Sequence, residues 1–334
     1  MKVSVIGGGT WGSAFALYLG RMKIETQLWI REDDIYQDII QRRENRTFLP
    51  GHIFPPSVSF FHNLKEATES SQIVFVAVPS KFCRQIYNQL APHLSNQQII
   101  VSLTKGLEEK SLKRMSEVME EIFSSKFSPQ IAILSGPSFA KEVAEQQPTA
   151  VVIASKDVAL AQRIQHLISS VSFRAYTSQD VIGVELAGAL KNVIAIAAGI
   201  LDALQLGTNS MAALITRGLY EITRLGLKLG AKKETFSGLA GIGDLVLTCT
   251  GRLSRNRFLG SELGKGKPLT EIVSGMKMVA EGVTTTLSAR LLAQREGVEM
   301  PICEEVYQVL YNNKNPQQAV QDLMTRRLKE EHYN

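Results

Sequence analysis

An α/β domain built on a doubly wound parallel sheet, followed by an all-helical domain, is the architecture this 334-residue chain predicts. Three observations carry it. In the first half, continuous apolar strand-like runs alternate with amphipathic helical stretches, the pattern of a parallel sheet covered on both faces. A glycine-rich turn, "GGGTWG", lies directly between the first such run and the first helix. Around residue 181 the β-rich runs stop and long helical patterns take over. The boundary falls near 178–181, dividing the chain into 1–179 and 180–334.

The elements follow in order. "KVSVIG" is the first strand, and "SAFALYLGR" the first helix, its Ala14, Leu17 and Tyr18 suited to lying on a sheet. "ETQLWIR" is the second strand, and the Pro-rich "LPGHIFPP" (49–56) a surface connection. "IVFVAVP" (73–79), "QIIVSLTKG" (98–106) and "QIAILSGPS" (130–138) continue the sheet, separated by the helical "SKFCRQIYNQLAPHL" and "LKRMSEVMEEIF". "TAVVIAS" and "SFRAYTS" add strands around a helix near 157–169. From "DVIGVELAGAL" to "PQQAVQDLMTRRL" the patterns are helical throughout.

Composition narrows the function classes. Hydrophobic residues make up 44% and charged residues 21%, an ordinary globular balance. The net charge of +5 suits a small phosphorylated substrate, and no basic cluster interleaved with aromatics points to nucleic acid. The three cysteines (Cys83, Cys249 and Cys303) are far apart without a CxxC pair, and the five histidines lack HxxxH-type spacing. That argues against disulfides and metal, and for a reducing, cytoplasmic setting. The most apolar segment, "VELAGALKNVIAIAAGI" (184–200), is interrupted by Glu185, Lys191 and Asn192, so no membrane span is expected.

Gly7, Gly9 and Gly12 form G-x-G-x-x-G after the first strand and at the start of a helix. Such a loop needs glycine for a tight turn, for backbone approach to a pyrophosphate and for close helix–strand contact, so a dinucleotide is the expected ligand. The second strand ends in Trp29-Ile30-Arg31-Glu32-Asp33. Arg31 favours a 2′-phosphate and hence NADP(H), while Glu32 and Asp33 leave NAD(H) possible.

Ligands of a doubly wound sheet sit beyond the carboxyl ends of its strands, where Lys105 and the turn Gly136-Pro137-Ser138 fall. On a helical wheel Lys191 is surrounded by Ala187, Gly188, Ala195 and Ala198, with Gly199 alongside. A face of small residues around a charge means close approach of another backbone or of a ligand. From this segment alone a ligand group and an internally paired lysine stand equally open; the glycine loop and the SRN segment in the same chain favour room for substrate and nicotinamide. Glu185 and Asn192, seven apart on a neighbouring face, are expected as structural hydrogen-bonding partners. Downstream, "SGLAGIGDLVLTCTGRLSRNR" joins a glycine-rich backbone to Arg252, Arg255, Asn256 and Arg257, donors suited to a phosphate. Asp244 stands in an otherwise uncharged stretch, placed to orient a hydroxyl or balance a lysine. Glu281 lies among small and apolar residues, within reach of an amide or ribose.

Taken in order, "GGGTWG", "LTKGL", "SGPSFA", "ELAGALKNVIAIAAGI", "GLAGIGDLVLTCTGRLSRN" and "VAEGVTTT" resemble the bacterial NAD(P)-dependent glycerol-3-phosphate dehydrogenases over nearly the whole chain. The resemblance implies a Rossmann-type domain followed by a helical domain of the 6-phosphogluconate dehydrogenase-like type. The 6-phosphogluconate, hydroxyisobutyrate and UDP-glucose dehydrogenases share that layout but not the GDL…SRN segment. It implies interconversion of dihydroxyacetone phosphate and sn-glycerol 3-phosphate, feeding phospholipid synthesis, in a homodimer without metal. Carried over, Thr10, Trp11, Arg31, Ala140, Val279 and Glu281 meet the cofactor with the loop glycines. Lys105, Gly136 and Ser138 meet the substrate, Lys105 also lying near the nicotinamide. Lys191 is the general acid/base, Lys105 helps polarise the carbonyl, and Asp244, Ser254, Arg255 and Asn256 complete the pocket, Arg255 also touching the cofactor. Gly8 departs from the alanine common in the family, and the family does not fix the choice between NAD(H) and NADP(H). A hydroxyacid dehydrogenase with a carboxylate substrate and a non-catalytic NADPH-binding protein are the competing readings.

Overall fold

A computed structural model describes residues 1–276 and 278–331. The strands are β1 (Lys2–Ile6), β2 (Glu25–Trp29), β3 (Val58–Phe61), β4 (Ile73–Val76), β5 (Ile99–Ser102), β6 (Gln130–Ser135), β7 (Thr149–Ala154) and β8 (Phe173–Ser178). They form one eight-stranded sheet in the order β3-β2-β1-β4-β5-β6-β7-β8. Strand order reverses at β1, so the loops after β1 and β4 open into the crevice where a doubly wound sheet takes its ligand. Side-chain alternation sends Val3 and Val5 of β1 to one face and Ile6 to the other. The first face is covered by helices Thr10–Arg21 and Val158–Ile168, the second by Ser80–Leu90 and Met115–Phe123.

Three expectations for the first half need correction. The sheet is not wholly parallel, because β6 and β7 pair antiparallel while every other pairing is parallel. The chain between them carries only the short helix Ala140–Ala144, stays at the carboxyl end of the sheet and turns back. The edge strand β3 was not expected: four residues after a proline pair give no strand pattern. And "LPGHIFPP" is not simply surface, since Leu49 and Phe54 are buried anchors within it.

The second half is organised around one helix, Val181–Ala203. The Asp180 carboxylate caps it at the Gly183 N–H and also accepts from the Lys232 N–H and the Thr235 hydroxyl. This helix meets the length and hydropathy of a membrane span, but 89% of its most apolar window is buried inside the protein. Helices Gly207–Lys228, Asp244–Thr250, Arg255–Gly264 and Glu281–Glu296 pack around it. The small residues on this helix serve that contact. A Cβ on Gly199 would lie 2.0 Å from the Arg257 carbonyl, and a Cβ on Gly260 would lie 2.0 Å from the Ile196 carbonyl. Gly188 faces Ser135 of β6. Backbone and sheet, rather than open space for ligands, fill the face that the sequence suggested was room for substrate and nicotinamide.

Candidate active site

The three loop glycines have separable roles. Gly7 has φ +122°, and a Cβ there would lie 2.6 Å from the Ala77 carbonyl; it makes the turn. A Cβ on Gly12 would lie 1.9 Å from the Gly7 carbonyl, so Gly12 allows the helix to sit against the strand. Gly9 has nothing among the described residues within 4 Å of its Cβ position and opens the helix Thr10–Arg21 without a side-chain cap. Its open side and the free N–H groups of the first turn match what a pyrophosphate requires. The Trp11 indole N–H, beside the cavity described next, is buried without a partner among the described residues. These features fit a dinucleotide.

A cavity of about 340 Å³ runs from Gly9, Thr10 and Trp11 past Lys105, Ser138 and Ala140 to Lys191, Asn192, Ser254, Arg255, Asn256 and Glu281. An adjoining compartment of about 180 Å³ holds Gly7, Gly8, Arg31, Glu32 and Phe82, and shares Arg255 and Val279 with the first. Arg31 sits at the far end, paired with Glu32 at 2.5 Å and 4.9 Å from the Phe82 ring centre.

The centre is a carboxylate between two lysines. Asp244 is 1% exposed; it accepts from Lys105 Nζ at 2.9 Å through Oδ2 and from Lys191 Nζ through Oδ1. The glycines before it build a non-helical kink at Gly241, a position where a Cβ would lie 2.1 Å from the Phe236 carbonyl. The chain then enters helix Asp244–Thr250 with Asp244 in its first turn, where the helix dipole favours a carboxylate. Lys191 also donates to Thr248 Oγ1 at 2.8 Å. Burial pulls the Lys191 pKa down to about 7; neighbouring Lys105 pulls the same way and Asp244 opposes both. Lys105 donates further to the Gly136 carbonyl at 2.7 Å and lies 3.4 Å from Ser138 Oγ.

Not every expected residue faces the cavity. Gly136 and Asp244 are buried behind the lysines, the first holding Lys105 by its carbonyl, the second holding both amines. Ser254 caps helix Arg255–Gly264 at the Arg257 N–H, 3.2 Å away. Asn256 is fixed by Asn192 Oδ1 at 2.9 Å and by the Gly282 N–H at 2.9 Å. Arg257 pairs with Asp202 instead of facing the cavity, while Arg255 lines both compartments and donates to the Val279 carbonyl at 2.9 Å. Glu281 borders the cavity but accepts from the Ser80 N–H at 2.9 Å and from the Ser80 hydroxyl. Burial raises its pKa, and the hydrogen bonds to Ser80 partly offset this. Thr10 donates to Met278 Sδ at 2.7 Å.

Two residues at the centre were missed. Thr248 carried a signal, since it stands one helical turn after Asp244 in "GDLVLT". Asn192, expected to be only structural, lines the cavity and donates to the Lys105 carbonyl at 3.2 Å.

A glycine loop at the switch point of a doubly wound sheet, joined by one cavity to a half-buried lysine past β5 and a buried lysine on the helical half, defines a two-domain nicotinamide-dependent dehydrogenase. The particular family follows from comparison with known proteins. The chain belongs to the NAD-dependent glycerol-3-phosphate dehydrogenases: the model of that family's N-terminus matches residues 2–161 and that of its C-terminus residues 180–321. It is 51% identical over 327 residues to glycerol-3-phosphate dehydrogenase, NAD(P)+, of Koribacter versatilis, covering 97% of each chain. To the protein of the same name from Geobacter sulfurreducens it is 50% identical over 332 residues, covering 99% of each. The structure is similar to the crystal structure of glycerol-3-phosphate dehydrogenase from Coxiella burnetii, with a TM-score of 0.93 and 38% identity over 97% of this chain and 99% of that one. The protein is an oxidoreductase of this family.

Proposed function

We propose that the enzyme interconverts dihydroxyacetone phosphate and sn-glycerol 3-phosphate with Lys191 as general acid/base, supplying glycerophospholipid synthesis. One observation carries the assignment: a buried lysine with a pKa near 7 borders the cavity, held by Asp244 and Thr248 beside a second lysine. When bound, the reduced nicotinamide supplies the hydride. As negative charge develops on the C2 oxygen, Lys191 gives it a proton and Lys105 polarises it. In the oxidation direction neutral Lys191 takes the proton back, and a pKa near 7 makes both forms accessible. Asp244 holds both amines in place. Arg255, Asn256 and Ser138 surround the remaining cavity, with Arg255 offering a planar fork of donors to the substrate phosphate.

Arg31 at the end of the second compartment supports a preference for NADP(H), with NAD(H) accepted. We divide the chain at 179/180, between β8 and the capped start of helix Val181–Ala203, and assign the enzyme to the cytoplasm as a homodimer. The test of the chemistry is Lys191→Ala. Its kcat for NADPH-dependent reduction of dihydroxyacetone phosphate should fall by about 10²–10⁴-fold with cofactor binding retained; an undiminished kcat removes Lys191 from the reaction.

A further inference from the structure

We infer that Glu185 is a positioning residue for the lysine pair, acting by clamping the loop that carries Lys105. The loop runs from Lys105, at the end of β5, to Arg114, at the start of helix Met115–Phe123. It is a closed unit: Leu107 and Arg114 form an isolated β-bridge, and the Glu108 N–H donates to the Lys113 carbonyl at 2.9 Å. Leu107 is buried in the core of the helical domain, so the loop belongs physically to both halves of the molecule.

Helix Val181–Ala203 grips this loop at both ends. Glu185, its side chain 5% exposed, accepts from Arg114 Nη1 at 2.8 Å, from the Ser116 N–H at 2.8 Å and from the Ser116 hydroxyl at 2.5 Å. It thus caps the neighbouring helix at the Ser116 N–H, beside the local Glu117, which accepts from the Arg114 N–H at 2.8 Å and pairs with the Arg114 guanidinium at 3.2 Å. Two turns later Asn192 donates to the Lys105 carbonyl. Between them Gly188 packs beside Lys105, its Cβ position 3.7 Å from Lys105 Cγ, while the approach that requires glycine there is to Ser135 Oγ, 2.6 Å away. Positions 185, 188 and 192 share one helical face and turn it toward the loop. Lys191 is carried by the same helix, so the clamp ties the two amines to one rigid element. Release of Glu185 frees the Arg114 end of the loop from this helix, leaving it to Glu117 and the Arg84–Glu108 pair, and shifts the Lys105 amine relative to Asp244.

A carboxylate that merely neutralised Arg114 would matter for stability alone. One that positions Lys105 must affect the chemical step, because small misplacement of a reacting group is expensive in rate. The inference rests on Lys105 and Lys191 acting together on the substrate carbonyl. Glu185→Gln keeps an acceptor for Ser116 but loses the charge on Arg114; Glu185→Ala loses both. For each, kcat and KM for dihydroxyacetone phosphate, the NADPH Kd, the primary deuterium isotope effect and the melting temperature are measured, alone and in a Lys105→Met background. The expected result for Glu185→Ala is a kcat lowered by about 10- to 100-fold with a larger isotope effect and an NADPH Kd within about threefold. Glu185→Gln should lie between it and the parent. In the Lys105→Met background Glu185→Ala should change kcat less than about twofold, since the group it positions is gone. Unchanged kcat in both single variants overturns the clamp, as does an equal kcat loss with and without Lys105. A fully active Lys105→Met variant instead overturns the two-lysine chemistry on which the clamp rests.

Discussion

Asp244 lies between two ammonium groups, and replacing it with asparagine tests what that carboxylate does. Asparagine is nearly isosteric and keeps an acceptor for one lysine, so the change is chiefly one of charge. Asp244 raises the Lys191 pKa against the combined pull of burial and Lys105, which leaves it near 7. An opposite charge in direct contact is worth about 1–3 pKa units. In the reduction direction Lys191 must be protonated, so activity is lost as pH rises through its pKa; in the oxidation direction it must be neutral, and activity is gained there. At pH 7 about half of Lys191 carries its proton in the parent enzyme; a drop of one to two units leaves about a tenth to a hundredth. Asp244→Asn should therefore lose about five- to fiftyfold in kcat for reduction at pH 7. The alkaline limb of its pH profile should move to lower pH by the same one to two units. The rise of glycerol 3-phosphate oxidation with pH should begin correspondingly lower. Initial rates of NADPH consumption and formation across pH 5–9, at saturating substrates, read both limbs. A reduction profile that keeps its midpoint would refute the reasoning, because Lys191 would not then owe its proton to Asp244.

The glycine loop and the cofactor preference give two further expectations. Gly12→Ala places a methyl against the Gly7 carbonyl and should destabilise the fold by about 1–3 kcal/mol, visible as a lower melting temperature without any ligand. Gly9→Ala meets nothing among the described residues, so its melting curve should match the parent while NADPH affinity falls roughly tenfold, as fluorescence titration would show. Arg31→Ala should raise KM for NADPH much more than for NADH; equal effects in steady-state kinetics would remove Arg31 from 2′-phosphate recognition.

Much of the molecule was legible before folding because its signals are local. Strand β1, the turn at Gly7 and the helix after it are contiguous, and glycine is required there by backbone geometry that sequence spacing records. The uninterrupted apolar runs at β4 and β5 likewise announce strands buried on both faces. What was not legible depends on partners distant in the chain. The antiparallel turn-back from β6 to β7 is set by where the intervening segment packs, and β3 is a strand only because β2 offers it an edge. The small residues around Lys191 have the same appearance whether they face a ligand or a helix, and the Arg257 backbone, 58 residues beyond Gly199, decides for the helix.

The sequence by itself determined the two-domain order and the dinucleotide loop, singled out a lysine in the helical half and, through its motifs, pointed to the family. Only the tertiary structure decided how that lysine is held. Lys105, Lys191 and Asp244 lie up to 139 positions apart and meet because β5, the central helix and the kinked helix start converge on one point. A pKa near 7 belongs to that convergence, since burial and two neighbouring charges set it and none of them is local in sequence. The same holds for Glu185 and Asn192, whose seven-residue spacing placed them on one face but could not say that both reach for the ends of a single loop.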